Sequence, residues 1–142
     1  MKRIERVILD NCVLIEAAQG NPTAGQIIEQ VLKKKIRMVM TPRMMGEFDA
    51  ALNKPKVKEK LTENGLEAVV CALYTALIID GSNYRERMKF GGVIDDEGDL
   101  KFAAAAQRFG LPLVTNDSDL LNPARELKRR GVHVISMWEF AK

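Results

Sequence analysis

The residues of this 142-residue chain best suited to chemistry are acids that follow short apolar runs. "RVIL" stops at Asp10, and the run through Thr115 stops within "VTNDSDL", where Asp117 and Asp119 alternate with Asn116 and Ser118. A carboxylate in such a place can end a strand and cap the helix that follows. It can equally serve a site at the carboxyl edge of a sheet, where open parallel sheets bind their ligands. Two more acids can reach that edge. Glu47 follows "RMVMT" by less than two helical turns, and Asp99 opens an alanine-rich helix that returns to the rim through one loop. Carboxylates gathered at short range raise one another's pKa values and cannot all stay ionised without a counter-charge. A hard divalent cation supplies it, and an all-oxygen donor set selects Mg²⁺ or Mn²⁺ over zinc. Phosphodiester hydrolysis needs such a set and little else, since the metal lowers the pKa of the attacking water and stabilises the leaving oxygen.

For these acids to meet, the chain must wind a suitable sheet. "RVIL" (6–9) reads as a buried strand, "RMVMT" (37–41) as a second, and a third short strand falls near Ile78 and Ile79. Pro112 to Thr115 and "VHVIS" (132–136) make the fourth and fifth. Between them lie helical segments: "NPTAGQIIEQVLKKK", "RMMGEFDAALN", roughly 56–63 and 66–76, "LKFAAAAQRF" closed by Gly110, and 119–130. Strands alternating with helices of about a dozen residues predict an α/β fold, a three-layer α/β/α sandwich around a central, mostly parallel five-stranded sheet. If the first three strands wind one way and the chain then crosses over, the first and fourth strands become neighbours at the switch point. Asp10 and Asp117 then stand side by side.

Composition narrows the remaining possibilities. With 46% hydrophobic and 29% charged residues, the chain is expected to fold as one domain over 1–142, with no disulfide or structural metal required. "AVVCALYTALII" (68–79) is too short for a membrane span, and "MKRIERVILD" reaches an acid too soon for a secretory signal, so the expected location is cytoplasmic. Cys12 and Cys71, far apart in apolar surroundings and without CxxC spacing, fit a reducing compartment. A net charge of +3 permits nucleic-acid binding without demanding it. The basic clusters read first as solvated helix faces, with Arg43, Lys54 and Lys89 the nearest to the acidic motifs. His133 reads as structural, and Trp138 with Phe140 as a core or dimer plug rather than a stacking platform.

The acidic motifs, in this order, resemble those of the PIN-domain ribonucleases, which include the toxin components of VapBC-type toxin–antitoxin pairs. "VILDNCVLI" (7–15) is similar to the family's opening strand, "TPRMMGEF" (41–48) to its second acidic motif, and "DLKFAAAAQRFGLPLVTNDSDLL" (99–121) to its third and fourth. The resemblance implies a PIN-like fold and a Mg²⁺- or Mn²⁺-dependent endoribonuclease acting on single-stranded or structured RNA. Asp10, Glu47, Asp99 and Asp117 would form its catalytic quartet, with Asp10, Asp99, Asp117 and the auxiliary Asp119 as metal ligands. Thr115 and Asn116 would shape the loop. RNA, an antitoxin protein and a second copy in a homodimer are the partners it implies.

Four alternatives stay open. Asp96 stands in reserve for Asp99, within a group that also includes Asp95 and Glu97. Asp119 is either a ligand or the cap of the next helix. The family usually follows its first aspartate with Thr then Asn, whereas this chain has Asn11 then Cys12; along a strand the two positions face opposite ways. That departure motivates a second function, a PIN-like module without turnover that acts through a protein or RNA partner. A Toprim-like nuclease would use "DSD" (117–119), but it places a glutamate after the first strand, where this chain has Asp10.

Overall fold

Five strands, β1 (Glu5–Leu9), β2 (Ile36–Met40), β3 (Leu77–Ile78), β4 (Leu113–Thr115) and β5 (Val134–Ser136), form one sheet in the order β3-β2-β1-β4-β5, every pair parallel. The structure, a computed structural model, describes residues 4–81, 83–94 and 96–142. Asp95, and residues 1–3 of the N-terminal segment, lie outside the described residues. The sheet is built outward from β1, first toward β3 and then, after a crossover, toward β5. Right-handed crossovers running in opposite directions put their helices on opposite faces, which makes the three layers. α1 (Asn11–Ala18), α2 (Pro22–Leu32), α3 (Pro42–Leu52), α4 (Pro55–Lys58) and α5 (Glu63–Leu73) follow the first two strands, and α1 packs against α2, α3 and α5. α6 (Tyr84–Met88) and α7 (Leu100–Phe109) carry the crossover and pack on each other. α8 (Ser118–Leu121), α9 (Ala124–Arg129) and α10 (Met137–Phe140) complete the chain.

Val7, Ile8, Met38, Leu113 and Val114 are wholly or almost wholly buried, as expected of a parallel sheet covered on both faces. Ala103 to Ala106 on α7 are equally buried, and their small side chains let that helix lie close to the sheet. Helices start with their own caps. Thr41 accepts from the Met44 N–H (3.2 Å) with Pro42 at the first position of α3, and Asn21 accepts from the N–H groups of Thr23 and Ala24 ahead of α2. Gly110, at φ 64°, closes α7 in the left-handed region, where glycine lacks the side-chain penalty.

Several segments differ from the sequence reading. The strand read at 6–9 is present as β1, ending at Leu9, but the rest of the stretch 7–15 that resembles the family's opening strand is a helix the reading lacked: α1 begins at Asn11. Asn11, Val13, Leu14, Ala17 and Ala18 are its buried positions, a helical pattern that the largely apolar composition hid. The strand-alternation argument about Asn11 and Cys12 therefore falls, because both lie in the first turn of a helix. The helix expected over 119–130 is split into α8 and α9 at Pro123, which has no N–H to donate and leaves helical geometry at ψ 19°. Trp138 is 53% exposed and does not plug the core, although Phe140 packs against it. Cys71 is exposed on α5 rather than enclosed by apolar neighbours.

The tightest helix junction sits at Gly65. Thr62 caps α5 through the Gly65 N–H (3.0 Å) and gives its own N–H to the Ala18 carbonyl (3.0 Å), which seats α5 on the end of α1. A Cβ on Gly65 would lie 2.5 Å from the Ala17 carbonyl oxygen and 2.8 Å from that of Ala18, while one on Gly25, inside α2, would meet nothing within 4 Å. In urea unfolding, Gly65→Ala is expected to lose about 1–3 kcal/mol and Gly25→Ala to gain about 0.5–1 kcal/mol. Equal effects at the two sites would contradict this packing.

Candidate metal centre

Parallel pairing of β1 with β4 brings the first two acids together. The Asp10 N–H donates to the Val114 carbonyl (2.9 Å), so Asp10 leaves β1 beside Thr115 at the end of β4. Thr115 is fully buried, and its hydroxyl ties the rim together. Oγ1 donates to Asp10 Oδ2 (2.7 Å), accepts from the Asp117 N–H (3.0 Å) and lies 3.6 Å from Cys12 Sγ. A threonine hydroxyl has one hydrogen, and with that hydrogen on Asp10 the thiol hydrogen is left to serve Thr115 Oγ1 or the Asp10 carboxylate. Burial, followed by the nearby Asp10 carboxylate, raises the Cys12 pKa and keeps the thiol protonated for that role. Asp10 precedes α1 but makes no side-chain cap hydrogen bond to it. Asp117 does cap, accepting the Asp119 N–H at 2.9 Å, which fixes its rotamer.

Asp99 arrives from the opposite layer. It closes a 3₁₀ turn, Glu97–Asp99, capped by Asp96 through the Gly98 N–H (2.8 Å), and α7 starts at the next residue. One carboxylate oxygen each from Asp10, Asp99 and Asp117 lie within 4.8 Å of one another, and Asp99 forms a second group of the same dimension with Asp96 and Asp119. Burial raises the Asp10 pKa, outweighing the Thr115 hydroxyl and the polar hydrogens of Cys12 that favour the carboxylate, and Asp117 raises it further. Asp99 is pushed up to about 7, by burial first and then by Asp10, Asp117 and Asp96. Asp99 Oδ2 and Asn11 Oδ1 are buried without a hydrogen-bond partner among the described residues. An unpaired buried carboxylate oxygen beside two other carboxylates is costly for the protein alone. An all-oxygen set with a donor atom to spare suits a hard divalent cation.

Glu47 stands apart from both groups. Its carboxylate pairs with Lys101 of α7, whose ammonium also donates to the Gly98 carbonyl. Lys101 is only 5% exposed, and its ammonium sits 4.8 Å from the Phe102 ring centroid. A buried ammonium requires a partner, which accounts for the capture of Glu47. Asp10, Asn11, Glu47, Lys54, Asp99 and Lys101 nevertheless line one open hollow of about 350 Å³, so the glutamate faces the same space as the acids.

The structure thus gathers Asp10, Asp99 and Asp117, adds Asp119 and Asp96 through Asp99, and leaves Glu47 across the hollow. Asp119 is not the helix cap, because Asp117 holds that position. Asn11 turns its amide to donate to the Met44 carbonyl (3.1 Å), tying α1 to α3 behind the site. Lys54 lines the hollow, whereas the Lys89 carbonyl accepts from Arg130 (2.8 Å) and its side chain is not among the hollow's lining. Sequence reading missed Lys101. Its signal is a lone lysine in "DLKFAAAA", a stretch buried on every side, where a charge must find a partner.

A family model described as PIN domain matches residues 6–119. No curated protein matches the chain. Among solved structures, PAE2754 from Pyrobaculum aerophilum aligns over 97% of this chain and 87% of its own, at 16% identity and a TM-score of 0.63. VapBC2 from Rickettsia felis, bound to a DNA fragment from their promoter, aligns over 92% of this chain and 98% of its own, at 19% identity and a TM-score of 0.62. At these identities the likeness is one of fold.

The raised Asp99 pKa has a measurable sign. Without metal, Asp99 stays protonated in the folded protein up to about 7 but ionises from 3.8 in the unfolded chain, so stability falls as pH rises between those values and levels off above them. Asp99→Asn removes the penalty. In EDTA the variant is expected to exceed the parent by on the order of 2–4 kcal/mol near pH 8 and to match it near pH 4, read by urea unfolding. A difference that does not shrink on acidification would contradict the buried, crowded carboxyl.

Proposed function

The chain belongs to the PIN domain family, and from that premise we propose that it is a Mg²⁺- or Mn²⁺-dependent endoribonuclease that hydrolyses RNA phosphodiester bonds. PIN domains are generally nucleases, which gives the reaction class; metal, RNA and residue roles are the proposal. The observation that carries it is the convergence of Asp10, Asp99 and Asp117 within 4.8 Å, with Asp99 Oδ2 unpaired. Those three acids would hold the cation, and Asp119 would assist from the group it shares with Asp99. The bound ion would supply Lewis-acid polarisation of the phosphoryl oxygen and a lowered pKa for the attacking water.

The chain's own residues do the positioning. Thr115 orients Asp10 by its hydroxyl and Asp117 by the N–H it accepts, so the first and fourth acids are set by one side chain. Lys101 anchors Glu47 at the wall of the hollow, where the half-exposed carboxylate serves as the fourth catalytic acid by orienting substrate or water. Lys54, on the same wall, offers charge to a phosphate of the RNA backbone. The wider proposal, in line with the resemblance, is the toxin of a toxin–antitoxin pair, a cytoplasmic homodimer with an antitoxin partner, folded as a single domain over 1–142. No helix among the described residues is long and apolar enough to cross a membrane. Asn11 lines the acid hollow and keeps a buried, unpartnered Oδ1, which supports a working site over the module without turnover that the Asn11–Cys12 departure suggested.

The test is cleavage of single-stranded RNA with Mn²⁺, with EDTA as the control. Asp10→Asn and Asp117→Asn are each expected to reduce the rate by roughly two orders of magnitude or more while preserving the circular dichroism spectrum. Undiminished cleavage in either variant would refute the site. A parent protein that neither cleaves RNA nor gains thermal stability on Mn²⁺ titration would establish the silent module instead.

A further inference from the structure

A second hollow of about 320 Å³ adjoins the acid-lined one, and the two share Glu47, Gly98 and Lys101. Its outer wall has a different chemistry. Arg43 comes from the exposed side of α3, and Tyr84 and Arg87 come from α6. Tyr84 is 68% exposed, on a helix start made rigid by a capping box: Asn83 accepts from the Glu86 N–H (2.8 Å), and Glu86 accepts from the Asn83 N–H (3.1 Å). α6 packs on α7, the helix that carries Lys101. A lone exposed tyrosine needs no explanation on a protein surface. One held on a capped helix and lining, together with Arg43 and Arg87, a space that adjoins the acid-lined hollow has a specific chemistry.

We propose that this hollow is a nucleotide subsite, in which the base next to the scissile phosphodiester stacks on Tyr84 and the flanking phosphate meets Arg43 and Arg87. The inference rests on the nuclease reading and adds where the substrate lies. The wall formed by Lys101 and Glu47 separates the subsite from the acids, so the scissile phosphate crosses it. An aromatic face accepts any base, and a planar guanidinium matches two phosphate oxygens. Glu47 and Glu97 offset part of the positive charge here, so recognition depends on stacking together with two point contacts rather than on a broad basic surface. A base buried in a duplex cannot reach the tyrosine, which makes single-stranded RNA the ligand. The volume is near the lower end for small-molecule sites, suited to one nucleotide.

The experiment is fluorescence anisotropy of a short labelled single-stranded RNA titrated with the 142-residue chain in EDTA, where metal-dependent cleavage cannot consume the probe. Tyr84→Ala is expected to weaken binding roughly tenfold and Tyr84→Phe to leave it unchanged. Arg43→Ala is expected to weaken binding and lower the slope of log affinity against log salt by about 0.7. A paired duplex of the same sequence is expected to bind less tightly. If the parent binds and both alanine variants bind equally well, the subsite is refuted while the nuclease reading stands. If the parent binds no RNA, the subsite is refuted as well, and Mn²⁺-dependent cleavage then decides the nuclease reading separately.

Discussion

Three carboxylates pressed together at the rim of a buried sheet repel one another, and the arrangement of this protein follows from how that repulsion is contained. Parallel pairing of β1 with β4 puts Asp10 and Thr115 in neighbouring registers, and the single hydroxyl hydrogen of Thr115 goes to Asp10. The same oxygen takes the Asp117 N–H, which directs the chain out of β4 and into α8. Asp99 then arrives with an oxygen that nothing among the described residues satisfies. A proton on Asp99, whose pKa is pushed up to about 7, contains part of the strain in the isolated protein. A divalent cation would contain it better, because it neutralises several carboxylates at once without desolvating a lone charge.

Lys101 extends this electrostatic balance across the hollow. A buried ammonium close to an acid cluster would be expected to pair with the cluster, yet it pairs with Glu47 and the Gly98 carbonyl. Placing the cation on the far wall leaves Asp10, Asp99 and Asp117 facing one another. It also draws Glu47 away from the group that it would otherwise join. The hollow therefore has an acidic side and a paired side, an asymmetry suited to a substrate whose phosphate must approach a metal from one direction.

Much of this was legible in the sequence, because apolar runs that stop at an acid are unusual and the switch-point rule says where two such runs meet. The sheet order, the all-parallel pairing and the adjacency of Asp10 and Asp117 follow from that rule. The Asp99 position follows from one helix and one return loop. What was hidden was local. α1 was obscured because its buried face and its flanking residues are apolar alike, so composition carried no period. Glu47 was assigned to the cluster because its distance from β2 allows it, and that reasoning could not weigh the competing attraction of Lys101, which comes from a distant part of the chain. The role of Asp119 was ambiguous until Asp117 proved to hold the cap.

The central claim is that Asp10, Asp99 and Asp117 together are a divalent-cation site. The most direct measurement is an anomalous difference map from crystals soaked in Mn²⁺. The account predicts a peak about 2 Å from one oxygen of each of the three aspartates. A peak confined to surface acids elsewhere, or no peak with the three carboxylates well ordered at neutral pH, would contradict it.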